Sequence, residues 1–129
     1  MTLRVWNVDD VVVVAAERRL VVGNRQDLKT TMLDEMERGR RGLVIDFGGT
    51  DLIDSGGLGV LVTLYRQAEE VSAKLVLTGL SHELRELLRL TKLETIFVLA
   101  DTVEDAVRVA GTEAAPGEPA PQAPASQPV

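Results

Sequence analysis

Short, unbroken apolar runs alternate along the first 110 residues with stretches in which apolar side chains recur every three or four positions. Buried strands give the first pattern and amphipathic helices give the second. The predicted strands lie at residues 3–5, 11–16, 43–47, 74–78 and 96–99, with a shorter extended piece at 19–22. The predicted helices lie at residues 25–38, 56–71, 81–90 and 102–110. This alternation predicts an α/β fold: a mixed β-sheet of four to five strands with about four α-helices.

Polar residues mark the ends of several predicted elements. Asp9 and Asp10 separate the first two strands and predict a turn between antiparallel neighbours. Asn24 and Ser55 stand just before helical patterns, so each is predicted to cap its helix with a side-chain oxygen. The side chains predicted to face the core from the helix at 56–71 are Leu58, Leu61, Val62, Tyr65 and Ala68.

The end of the chain has a different composition. All five prolines fall within residues 116–128, and from Gly111 onward the residues are small or polar until Val129. Such a segment cannot bury enough apolar surface to offset the entropy lost on ordering. We therefore expect one domain at residues 1–110, followed by a disordered Pro/Ala-rich tail at 111–129.

Charge and composition exclude several classes of function. Twenty acidic residues against fourteen Lys and Arg give a net charge of -6, which opposes binding to nucleic acid or anionic lipid. The chain has no cysteine, so it has no disulfide, no thiolate zinc site and no Cys nucleophile, as suits a cytoplasmic protein. No apolar run approaches the roughly 20 residues of a membrane span, so none is predicted.

The segment between the strand at 43–47 and the following helix is the strongest candidate for a functional site, because ligands and partners usually bind at this junction in parallel sheets. Gly56 and Gly57 lower the helical propensity of the first turn, which favours a close approach to the backbone by a phosphate or a partner. Ser55 has two interpretations. It is a plain helix cap, or it is an exposed hydroxyl that a kinase modifies, where a phosphate would suit the positive end of the helix.

The stretch Ile53-Asp54-Ser55-Gly56-Gly57-Leu58-Gly59-Val60-Leu61 resembles the signature of STAS domains, in particular of the bacterial anti-sigma factor antagonists. That motif runs Asp-Ser-Ser/Thr-Gly-Leu-Gly, and Gly56 stands here in place of its second hydroxyl residue. The resemblance extends to residues 43–47 and 90–97 and implies a STAS fold over residues 1–110.

The same resemblance implies a function. It makes Ser55 the phosphorylation site and places partner binding at Asp54, Ser55, Gly56, Gly57 and Leu58. The implied partners are an anti-sigma factor serine kinase with a histidine-kinase-like ATPase fold and a serine phosphatase, and the implied role is control of sigma-factor-dependent transcription. The alternative is a non-catalytic STAS scaffold subunit of a signalling or lipid-transport complex, in which Ser55 is only a cap.

The sequence lacks residues that the enzyme classes considered would need. Asp46 at a strand end is typical of a phosphoacceptor, but Asp9 and Asp10 precede their strand, whereas phosphoryl-transfer groups gather at the carboxyl ends of parallel strands. A serine hydrolase would require a base for Ser55, and His82 is the one histidine of the chain. Acidic residues show no metal-ligand spacing. We therefore expect no catalysis, no cofactor and no metal.

Overall fold

The computed structural model describes residues 3–21 and 23–112, and the tail predicted at residues 111–129 lies outside the described residues from residue 113 onward. The strands are β1 (Arg4–Val8), β2 (Val11–Ala15), β3 (Arg19–Leu20), β4 (Gly42–Asp46), β5 (Leu52–Ile53), β6 (Lys74–Thr78) and β7 (Val98–Ala100). The helices are α1 (Arg25–Glu37), α2 (Ser55–Glu70), α3 (His82–Leu90) and α4 (Val103–Thr112), with a 3-10 turn at Leu93–Thr95 before β7. Helix α4 extends two residues beyond the helix predicted at residues 102–110.

Five strands form one mixed sheet in the order β1-β2-β4-β6-β7. Strands β1 and β2 are antiparallel, with Val8 opposite Val11 across the turn at Asp9, whose φ of 55° lies in the left-handed region. The other pairs are parallel. All five residues of β2 are buried, as its unbroken apolar run predicts for a central strand. The predicted mixed sheet is confirmed.

Alternate residues of the strands feed two separate cores, because successive side chains of a strand point to opposite faces. Val12 and Val14 of β2 belong to the larger core, which α1, α2 and α3 cover. Val11 and Val13 belong to the smaller core on the other face, which Ala106 and Ala110 of α4 cover. The sheet is therefore the middle layer of a three-layer domain.

Asn24 is the N-cap residue of α1, as predicted, but its side chain accepts no hydrogen bond from the first turn of the helix. Its Oδ1 accepts a hydrogen bond from the Val21 N–H at 3.0 Å, and its Nδ2 donates to Glu17 Oε1 at 2.9 Å and to the Arg19 carbonyl at 2.7 Å. The amide thus ties together the loop between β3 and α1. The side chain of Asn24 therefore hydrogen-bonds to groups of the loop instead of to the free N–H groups of α1.

Two further elements differ from the prediction. On α2 the buried aliphatic positions include Val60 and Leu64, whereas Val62 is only half-buried and lies outside the core cluster. The last strand begins at Val98 rather than residue 96, because Lys92 adopts a left-handed φ of 67° and the 3-10 turn follows it.

Candidate functional site

The loop between β4 and α2 is fixed to the domain at several points. Asp46 Oδ1 accepts a hydrogen bond from the Gly48 N–H at 2.8 Å. Phe47 is fully buried behind it. The Thr50 hydroxyl donates to the Glu17 carbonyl at 2.6 Å, and this threonine is also buried. The glycine-rich loop therefore has a defined path toward Ser55.

A second, two-stranded sheet completes the approach to α2. Strand β5 pairs in parallel with β3, with Arg19 opposite Leu52 and Leu20 opposite Ile53. The Asp51 N–H donates to the Arg18 carbonyl at 2.8 Å. The side chains of Arg18 and Asp51 also pair at 2.9 Å on the surface, where the hydrogen bond and the charge of Asp51 raise the pKa of Arg18. This small sheet sets where α2 begins.

Asp54, not Ser55, is the N-cap of α2, so the predicted cap is wrong by one residue. Asp54 has extended backbone angles, and its Oδ1 accepts a hydrogen bond from the Gly57 N–H at 2.8 Å. Its carbonyl begins the helical hydrogen-bonding pattern by accepting from the Leu58 N–H at 2.9 Å. Strand β5 ends at Ile53, so the residue after it takes the capping position. The carboxylate also suits the positive end of the helix dipole.

Ser55 is the first residue of α2 and is exposed. Among the hydrogen bonds within residues 3–21 and 23–112, none involves the Ser55 hydroxyl. Because Asp54 supplies the cap, no hydrogen bond within the described part of the chain depends on this hydroxyl.

The two glycines after Ser55 differ in their surroundings. Gly57 is buried, and a Cβ there would collide with the Leu20 carbonyl oxygen and lie 2.9 Å from Leu20 Cγ. The close approach that the sequence predicts is therefore made by β3 of the same chain. Gly57 is therefore packed against β3. Of the neighbouring residues, Ser55 is exposed, and Asp54, Gly56 and Leu58 are half-buried.

The other residues considered for chemistry take structural or surface positions. The Ser81 hydroxyl accepts a hydrogen bond from the Leu84 N–H at 3.2 Å and caps α3, and His82 is exposed after it. Over the described residues, no group of three His, Cys, Asp or Glu side chains could hold a metal ion. None of the helices described is long and apolar enough to cross a membrane.

The family model of the STAS domain matches residues 3–106, and the chain belongs to the STAS domain family. BtrV of Bordetella bronchiseptica, named as an anti-sigma factor antagonist, is 27% identical over 106 residues, which are 82% of this chain and 91% of that protein.

Solved structures share the fold. TM1081 of Thermotoga maritima, described as an anti-sigma factor antagonist, superposes with a TM-score of 0.79 at 24% identity, over 84% of this chain and 94% of that one. The Bacillus cell fate determinant SpoIIAA, in its phosphorylated form, superposes with a TM-score of 0.66 at 18% identity, over 84% and 98% of the two chains.

The cap assignment predicts different costs for two neighbouring substitutions. Asp54→Ala is expected to lower the free energy of unfolding by about 0.5 to 2 kcal/mol, because it removes the bond to the Gly57 N–H. Ser55→Ala is expected to change it by no more than about 0.5 kcal/mol, as for other exposed positions. Urea denaturation of both variants measures the difference. A larger loss of unfolding free energy for Ser55→Ala than for Asp54→Ala would show that Ser55 is the cap.

Proposed function

We propose that this protein is an anti-sigma factor antagonist that binds an anti-sigma factor serine kinase through the surface around Ser55 and is released when Ser55 is phosphorylated. The observation that carries the proposal is the position of Ser55: its hydroxyl is exposed at the first residue of α2, while Asp54 performs the capping. A kinase can modify this hydroxyl without removing a contact that the fold needs.

The local electrostatics suit a switch that leaves the domain folded. A phosphate on Ser55 would add about -1.5 to -2 charges where the free N–H groups and the positive dipole end of α2 accept an anion. Asp54 adds another negative charge at the same surface. A partner surface matched to a neutral hydroxyl would then have to desolvate the added negative charge, so binding would weaken while folding would not.

The relatives support this function. BtrV and TM1081 are named as anti-sigma factor antagonists, and SpoIIAA has been solved in a phosphorylated form. By this analogy the partner is a kinase with a histidine-kinase-like ATPase fold, and a serine phosphatase reverses the modification. The outcome is control of sigma-factor-dependent transcription. The chain itself performs no catalysis in this scheme.

The partner surface consists of Asp54, Ser55, Gly56 and Leu58, with Gly57 holding the turn in place. Leu58 is half-buried, so part of its side chain packs on the core and part remains available to a partner. A small apolar contact beside an exposed hydroxyl gives a surface whose affinity depends strongly on the charge at residue 55.

A pull-down from the native cells with three baits tests the proposal. Wild type and Ser55→Ala are expected to recover the same ATPase-fold kinase. Ser55→Asp is expected to bind it at least about 30-fold more weakly, because a buried unpaired carboxylate costs about 2 kcal/mol or more. Mass spectrometry of the wild-type chain is expected to find phosphate on Ser55.

The matched control is Ser72→Asp, which places the same charge at an exposed serine beyond the far end of α2. This variant is expected to bind like wild type. If no such kinase is recovered, Ser55 carries no phosphate and Ser55→Asp binds like wild type, the chain is a constitutive scaffold subunit and the switch is wrong.

A further inference from the structure

The side chain of Arg25 lies over the first turn of α2. Arg25 is the first residue of α1, and its Nη1 atom lies 2.5 Å from the position that a Cβ on Gly56 would take, with its Cδ at 3.6 Å from the same point. The guanidinium therefore occupies space that any larger residue at position 56 would fill. Gly56 directly follows Ser55, so the cation lies beside the residue next to the one that carries the exposed hydroxyl.

The Arg25 guanidinium has no anionic partner within residues 3–21 and 23–112. By contrast, Arg85 pairs with Asp101 at 2.9 Å and Arg89 pairs with Glu86 at 2.7 Å. Asp54 Oδ1 lies 3.4 Å from the same Cβ position, but it already accepts the bond from the Gly57 N–H. Arg25 is thus a half-buried cation over Gly56, and within the described residues its guanidinium donates no side-chain hydrogen bond.

We propose that Arg25 binds the phosphoryl group of phosphorylated Ser55. This inference rests on the proposed function, and it names the residue that contacts the phosphate once Ser55 is phosphorylated. Neighbouring Cα atoms are about 3.8 Å apart, so a phosphate on Ser55 is within reach of a guanidinium packed on residue 56. The planar, forked donors of arginine match two phosphate oxygens at once.

The pairing assigns separate roles to the charged groups around residue 55. Asp54 repels the phosphate, whereas Arg25 and the free N–H groups of the first turn attract it. Arg25 therefore fixes the phosphate against the domain and offsets the repulsion from Asp54.

The test installs phosphoserine at position 55 during translation by an expanded genetic code, so that no kinase is needed. The phosphate is then titrated by phosphorus NMR in an otherwise wild-type chain, in Arg25→Gln and in Arg66→Gln. Arg66 is an exposed arginine of α2, about 16 Å along the helix axis from Ser55, and its loss changes the net charge equally. Thermal midpoints of the unmodified variants confirm that all three chains fold alike.

Removing Arg25 is expected to raise the proton-binding constant of the phosphate dianion by about threefold or more, because a nearby cation favours the charged form. Arg66→Gln is expected to match wild type, and Arg25→Lys is expected to fall between wild type and Arg25→Gln because lysine keeps the charge but not the fork.

Equal titration curves for wild type and Arg25→Gln would overturn the pairing. Equal shifts in Arg25→Gln and Arg66→Gln would overturn it as well, because they would show a general effect of net charge. These outcomes are distinguishable from failure of the proposed function. The phosphate is placed on Ser55 during translation, so the result does not depend on whether a cellular kinase modifies this residue.

Discussion

Leu61→Ala is expected to lower the free energy of unfolding by about 2 to 5 kcal/mol. Leu61 is fully buried on the inner face of α2, within the cluster that joins α1, α2 and α3 to the sheet. Truncating it removes apolar burial and leaves a cavity that close-packed neighbours fill only in part. Chemical denaturation, read as the midpoint at an unchanged slope, measures the effect.

Val62→Ala is the matched control for Leu61→Ala. Val62 is the next residue of the same helix, but it is half-buried and lies outside the core cluster. Its truncation is expected to cost less than about 1 kcal/mol, since alanine also has the higher helical propensity. Equal losses for the two variants would show that α2 is rotated relative to the packing described.

Gly57→Ala is expected to destabilise the domain by about 1 to 3 kcal/mol, because overpacking forces backbone shifts. The added Cβ would collide with the Leu20 carbonyl oxygen and lie 3.0 Å from Ile53 Cγ2. A carbonyl in the two-stranded sheet cannot move aside as a flexible side-chain end would. The change therefore separates α2 from β3 near the site.

Gly59→Ala provides the control in the same helix. A Cβ at Gly59 meets no atom within 4 Å among the described residues, so only the higher helical propensity of alanine should act. We expect Gly59→Ala to stabilise the protein by about 0.5 to 1 kcal/mol. Thermal denaturation of both variants gives the comparison, and stabilisation by Gly57→Ala would contradict the close contact between α2 and β3.

The main sheet and its helices were predictable because their signals are local and periodic. The strand at residues 74–78 matches β6 at both ends, and the apolar run at residues 11–16 predicts β2 to within one residue. Buried strands and amphipathic helices of this length carry enough apolar residues for their period to be read without tertiary information.

Short elements and caps were not predictable to the same degree. Strand β5 has only two residues and exists because it pairs with β3, so no local pattern indicates it. Asp54 and Ser55 are both good N-caps, and the end of β5 decides between them. The sequence predicted Val62 of α2 to face the core, whereas the structure buries Val60. The error arose because apolar residues occur on more than one side of that helix.

For the candidate site, the sequence was enough to propose the segment and Ser55, but it did not indicate which residues surround Ser55. Ser55 is exposed and is not the cap, because Asp54 takes the capping position. The sequence does not show this, since either residue could be the N-cap. Arg25 could not be found from the sequence, because its position over Gly56 arises from the packing of α1 against α2.

The affinity of the recovered kinase for two chemically defined forms of this chain tests the central claim most directly. Calorimetric titration would compare the unmodified protein with the protein carrying phosphoserine at position 55. The account predicts that phosphorylation weakens binding by at least about 30-fold, which corresponds to about 2 kcal/mol, while the thermal midpoint of the free chain stays the same or rises. Equal affinities for the two forms would contradict the account.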